Sequence, residues 1–218
     1  MKIGVPKEIK NNEYRVGLTP NSVRELVKNN HEVYIQKDAG SEIGFSNSKY
    51  KEAGAVIIIT AGELYKCSEL IVKVKEPIPE EFSYLNSIHT VFAYLHLAGD
   101  PKTGLELAAT GITGIALETV TADDGTMPLL SPMSSIAGQL SIVVGSYHLL
   151  KPNRGMGTLI GAMCDVDRRV VTVIGAGVAG TMAIEKAIDN KAHVKIIDLS
   201  QKRLDELRAI YGLSLIHI

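Results

Sequence analysis

Residues 169–200, RVVTVIGAGVAGTMAIEKAIDNKAHVKIIDLS, decide how the chain is read. Positions 170–174 are a short apolar, β-branched run of the kind that forms a buried strand. The run leads directly into Gly175, Gly177 and Gly180 in G-x-G-x-x-G spacing, and Met182, Ala183, Ala187 and Ile188 then recur as the apolar face of a helix. A second apolar run, 194–197, ends at Asp198, 18 residues beyond Gly180. Strand, glycine turn, helix, strand and terminal acid follow in the order of a dinucleotide-binding βαβ unit. Each glycine has its own task there: Gly175 permits the turn, Gly177 lets a pyrophosphate approach the backbone, and Gly180 lets helix and strand pack closely. Asp198 favours NAD over NADP, because a carboxylate binds a ribose 2′-OH and repels a 2′-phosphate; Lys202 and Arg203 weaken that preference.

Composition sets the outer limits. The 218 residues are 45% apolar with a net charge of −1, enough for a buried core and without the basic surface that nucleic acid requires. Cys67 and Cys164 are far apart and form no CxxC or Cys/His cluster, so they read as buried or incidental thiols, not as a disulfide or zinc site. No run approaches membrane-spanning length, and the opening MKIGVPKEIK lacks a signal-peptide core, so the expectation is a cytoplasmic protein with no membrane partner.

Upstream of the glycine turn the pattern is again β/α. Strands are expected at 1–5, 31–36, 55–59, 70–74 and 90–95, and helices at 20 onward (Thr19 as N-cap), 46–53 and 102–109. That alternation predicts a parallel sheet, and so an α/β chain of two doubly wound domains, the second a truncated Rossmann fold. The expected division is a first domain at 1–128 for substrate and catalysis, then 129–212 for the first half of a nucleotide domain. The PLLSP break at 128–132 and a long connector helix at 133–150 begin the second part, and a glycine-containing loop at 155–167 leads to the dinucleotide strand.

Ligands of open parallel sheets gather beyond the carboxyl ends of the strands. Arg15, Lys75 and His96 each follow an expected strand, which puts them on one edge. Their chemistry suits a small carboxylate substrate: a guanidinium grips a carboxylate, an ammonium polarises a carbonyl or imine, and an imidazole moves protons. His89 and His31 fall at the opposite edge and are read as structural. Glu118 with Asp123 and Asp124 forms a possible carboxylate group, of which the DDG pair is better explained as a solvated turn.

The segments MKIGVPKEIKNNEYRVGLTP, IVKVKEP, FAYLHLA, LSPMSSIAG and VIGAGVAG resemble the alanine dehydrogenases, over residues 1–211. Transhydrogenase α chains resemble the opening and the glycine turn but lack counterparts of Lys75 and His96. The resemblance implies that Arg15 and Lys75 bind the substrate carboxylate and carbonyl and that His96 is the acid/base. It further implies that Ser134 contacts NAD and that Asp198, with Arg203, holds the adenosine ribose. The implied activity is reversible NAD-linked deamination of L-alanine to pyruvate and ammonia by a homohexamer. A transhydrogenase-like or saccharopine-dehydrogenase-like NAD(P)-binding protein is the alternative. Ser135, Gln139, Leu117 and Cys164 depart from the family pattern. The last six residues, LSLIHI, do not resemble the family and can be spelled by a transposase sequencing adapter, so 213–218 is expected to be a non-native tail on an inactive fragment.

Overall fold

Six short strands in the first 120 residues build one parallel sheet, and helices on both of its faces explain why the strands read as nearly unbroken apolar runs. In the computed structural model, residues 1–161, 163–164, 168–212 and 214–217 are described, and the chain divides into two units, Met1–Val120 and Thr121–Ile218. The 121–128 turn thus falls in the second unit and not, as expected, in the first.

The first unit runs β1 (Lys2–Val5), α1 (Pro20–Lys28), β2 (Glu32–Gln36), α2 (Asn47–Glu52), β3 (Val56–Ile58) and α3 (Ala61–Cys67). It continues with β4 (Leu70–Lys75), α4 (Pro79–Phe82), β5 (Thr90–Tyr94), α5 (Pro101–Ala109) and β6 (Thr113–Ala116). Its strand order is β3-β2-β1-β4-β5-β6, with every pairing parallel. Alternate residues feed two cores. Ile3, Val5, Val33, Ile35 and Val72 pack with Val23 of α1 and Tyr50 of α2, while Ile71, Val91 and Ala93 pack with Leu64 and Tyr65 of α3 and Leu107 of α5.

Local chemistry accounts for the helix starts. Thr19 caps α1 by accepting from the Ser22 N–H at 3.2 Å, with Pro20 in the first turn. Ser46 caps α2 in the same way. Helix α3, which periodicity did not reveal, is set by a capping box in which Thr60 and Glu63 exchange side-chain and backbone bonds. Strand β6, also unexpected, is a Gly-containing edge strand whose exposure masks any alternation.

The second unit contains α6 (Ser131–His148), β7 (Val170–Ile174), α7 (Val178–Asp189), β8 (His193–Asp198), α8 (Gln201–Tyr211) and β9 (Ser214–His217). Helix α6 begins two residues before the expected connector, because Pro132 fits a first helical turn. The sheet order is β7-β8-β9, all parallel. Part of the expected loop at 155–167, namely 162 and 165–167, lies outside the described residues, as do 213 and 218. Within the stretch expected to be a non-native tail, Ser214–His217 forms β9, after Gly212 ends α8 in a left-handed conformation. Gly138 of α6 lies so close to the Ala179 carbonyl that a Cβ there would overlap it, and this contact joins α6 to α7. Both cysteines are exposed free thiols, and no helix among the described residues is long and apolar enough to cross a membrane.

Tyr50 links fold and loop, since its hydroxyl donates to the Leu18 carbonyl at 2.8 Å from within the core. Tyr50→Phe leaves that carbonyl unpaired and should cost about 1–2 kcal/mol in urea unfolding. Burial pushes the Tyr50 phenol up to about 12, whereas an unfolded tyrosine titrates near ~10. Its contribution to stability is therefore complete below pH ~10 and lost as pH rises through ~12. Wild-type stability should fall more steeply than that of Tyr50→Phe across this window.

Candidate functional site

The strand order reverses between β1 and β4, so the connections leaving their carboxyl ends pass to opposite faces and open a crevice. The loop at 6–19 is fastened across β4 at that point. Glu8 Oε1 accepts from the backbone N–H of Val74 at 2.6 Å and of Lys75 at 3.4 Å. Lys10 pairs with Glu76, and Gly17 approaches the Val72 carbonyl so closely that only a residue without Cβ fits.

This fastening delivers Arg15 to the crevice. Arg15 Nε donates to Glu13 Oε1 at 2.8 Å and Nη2 to Glu13 Oε2 at 2.6 Å, the two-pronged hold by which a guanidinium takes any carboxylate. The Arg15 hydrogen bond holds the Glu13 carboxyl below its usual range, with the Lys75 charge a smaller contribution in the same direction.

Lys75 is the last residue of β4, not the first beyond it. Register with β5 shifts between Val72 and Lys75, and Lys75 comes to pair with Tyr94. Below it lies a cluster the sequence did not announce. Lys73, 1% exposed at its side chain, donates to Glu81 Oε1 at 2.8 Å and stands 3.3 Å from Glu8 Oε2, and the Tyr65 hydroxyl donates to Glu81 Oε1 at 2.9 Å. Burial raises the Glu8 carboxyl pKa, against the opposing pull of Lys73.

His96 lies one strand further along the edge. Strand β5 ends at Tyr94, Leu95 is buried, and His96 is exposed with φ +48°. It lines a small cavity of about 20 Å³ with Glu76, Leu97 and Asp100. The three expected residues therefore share the carboxyl edge of one parallel sheet: Arg15 lies on the loop after β1, Lys75 ends β4, and His96 follows β5 and shares a cavity with Lys75's neighbour Glu76. His89 is buried, its Nδ1 accepting from the Asn86 N–H and its Nε2 facing the Tyr65 carbonyl, as a structural histidine. Asp124 accepts from Thr126 N–H and Oγ1 in its turn. Among the described residues no group of three His, Cys, Asp or Glu side chains could hold a metal ion.

The second unit carries the glycine turn. Gly175 has φ +94°, a Cβ on Gly180 would overlap the Gly175 carbonyl, and the position a Gly177 Cβ would take is open space at the start of α7. Asp198 ends β8 with Oδ1 accepting from the Ser200 N–H at 2.7 Å and Oδ2 from the Ala176 N–H at 2.6 Å, bonds that hold its carboxyl low. Arg203 reaches back from α8, Nε to the Ala176 carbonyl at 3.0 Å and Nη2 to Thr181 Oγ1 at 2.8 Å. Ser134 sits in the first turn of α6, its N–H bonded to the Leu130 carbonyl. An open approach to a helix N-terminus beside a terminal strand acid fits the phosphates and ribose of a dinucleotide.

Residues 4–137 match the family described as alanine dehydrogenase/PNT, N-terminal domain, and residues 141–218 its C-terminal domain. The chain belongs to the alanine dehydrogenase/PNT family. It is 46% identical over 212 residues to an alanine dehydrogenase of Bacillus subtilis (strain 168), covering 97% of this chain and 56% of that protein. An alanine dehydrogenase of Mycolicibacterium smegmatis (strain ATCC 700084 / mc(2)155) is 45% identical over 212 residues, with 97% and 57% covered. A solved L-alanine dehydrogenase superposes with TM-score 0.92 at 41% identity, covering 100% of this chain and 61% of that one. A transhydrogenase from Sinorhizobium meliloti gives 0.83 at 25%, covering 99% and 64%. The chain thus spans a little over half the length of the curated relatives it matches.

Within this family member, Glu8, Glu13, Lys73 and Glu81 are the site-supporting residues that the sequence reading passed over, and Glu118 was weighed only as one of a carboxylate group. Lys73 alone left a signal, being a charge inside the apolar strand LIVKVK. Removing its ammonium strands two buried carboxylates, so Lys73→Ala should destabilise the chain by about 3–5 kcal/mol in urea unfolding, with Lys75 left in place.

Proposed function

We propose that the first unit binds a small 2-oxo or 2-amino acid, that the second binds NAD, and that the intact gene product interconverts L-alanine with pyruvate and ammonia. The observation that carries this reading is the two-pronged Arg15 hold on the Glu13 carboxylate at the crevice between β1 and β4, a place that a substrate carboxylate would take over. The name shared by relatives at 44–46% identity supports alanine as the substrate. The lower identity to the transhydrogenase speaks against that alternative.

In the proposed reaction Arg15 takes the substrate carboxylate, and Lys75 donates to the carbonyl oxygen of pyruvate or its adduct. Bound NAD supplies a hydride acceptor. The oxidised substrate is an imine, and His96 takes a proton from the water that adds to it and returns one to the departing amine. The residues of the second unit fit the coenzyme: Gly177 leaves room for the pyrophosphate, and Asp198 offers its carboxylate to the ribose hydroxyls. Arg203, already engaged by Ala176 and Thr181, secures the turn and favours NAD. Ser134 completes the proposed coenzyme contacts. The same reading makes the intact protein a cytoplasmic homohexamer.

His96→Ala in the intact gene product should abolish alanine-dependent NADH formation while NADH binding persists; retained turnover overturns the acid/base role. The 218 residues alone should show no turnover but should bind pyruvate in calorimetry, and Arg15→Ala should remove that binding. A substrate panel separates alanine from larger amino acids.

A further inference from the structure

Backbone at His96 adopts a left-handed conformation, φ +48°, that a side-chain-bearing residue reaches only at a cost. What holds it there is a single carboxylate. Glu118, in the 3₁₀ turn Leu117–Thr119 that follows β6, accepts from the His96 N–H through Oε1 at 2.7 Å and from the Leu95 N–H through Oε2 at 3.3 Å. Both amides lie just past the last residue of β5, where ladder pairing to β6 has ended at Ala93 and Ala116. A second constraint acts on the ring. Gly99 lies against the imidazole so closely that a Cβ there would overlap His96 Nε2, and the Gly99 N–H donates to the His96 carbonyl at 2.9 Å.

We propose that Glu118 is a positioning residue for the acid/base: its carboxylate clamps the Leu95 and His96 amides, fixes the left-handed turn, and with Gly99 sets the direction in which the imidazole faces substrate. The proposal rests on the reading of His96 as the acid/base. Glu8 provides an internal parallel, since it accepts from Val74 and Lys75 N–H at the end of the adjacent strand. Two neighbouring strands thus end alike, with a glutamate bridging two successive amides and the proposed site residue as the second of the pair.

A charge-assisted bond of 2.7 Å withdraws electron density from the donor proton. In the 218-residue chain the His96 amide proton should therefore resonate far downfield and return to an ordinary shift in Glu118→Ala. In the intact gene product Glu118→Ala should lower kcat about a hundredfold, as misplacement of a reacting group by an ångström does, with KM for pyruvate changed less than about threefold because Arg15 and Lys75 are untouched. Glu118→Gln, which keeps an oxygen for the His96 N–H, should recover much of the loss. Gly99→Ala tests the ring constraint separately, since its backbone lies outside the left-handed region and only the imidazole must move; it should reproduce the kcat loss.

Should Glu118→Ala fail to fold, Glu118→Gln and Gly99→Ala decide the matter. Wild-type kcat in Gly99→Ala, or an unshifted His96 amide in the wild-type chain, overturns the proposal. A fall in kcat matched by an equal rise in KM in these variants also overturns it. Failure of the underlying reading looks different: His96→Ala would then keep its turnover whatever Glu118 does.

Discussion

An ammonium removed from water must be met by anionic oxygens, and Lys73 Nζ is met by two, from Glu8 and from Glu81, which also accepts from the Tyr65 hydroxyl. Burial itself raises the Glu8 carboxyl pKa, because it favours the neutral acid and Lys73 only partly opposes it. Glu8 and Glu81 both belong to the connections that leave the sheet beside the crevice. Glu8 ties the loop after β1 to the Val74 and Lys75 amides, and Glu81 accepts from the Ile78 N–H at the start of α4. A cost of desolvation is thereby converted into fixed geometry at the end of β4. Arg15 inherits its place from the same loop, whose other fastenings are Gly17 under Val72 and Leu18 bonded to Tyr50.

Much of this architecture was legible because it rests on periodicity and local chemistry. The parallel sheet followed from apolar runs spaced by helical segments, the start of α1 from Thr19 and Pro20, and the glycine turn from residues of which Gly175 takes a positive φ and Gly180 a close backbone approach. Arg15, Lys75 and His96 could be assigned to one edge by strand direction alone. What stayed hidden depends on partners distant in sequence. Glu8 and Val74 are 66 residues apart, Glu118 and His96 22, and nothing in either glutamate's neighbours foretells which amide it meets. Helix α3 is a different case, for the Thr60 and Glu63 pair that starts it was present in plain view and outweighed by weak amphipathic spacing.

The glycine turn of the second unit shows the same economy of means. Asp198 holds the Ala176 N–H while Arg203 holds the Ala176 carbonyl, so one peptide neighbourhood is fixed from both sides by side chains of opposite charge. The two carboxylate oxygens of Asp198 meet the Ser200 and Ala176 amides separately, one oxygen to each.

The missing side chain at Gly138 has a mechanical consequence. With no Cβ at Gly138, the α6 backbone lies close against the Ala179 carbonyl in the first turn of α7, so any side chain there would force the two helices apart. Ser134, one turn upstream on α6, therefore travels with the glycine turn as a mortise travels with its tenon.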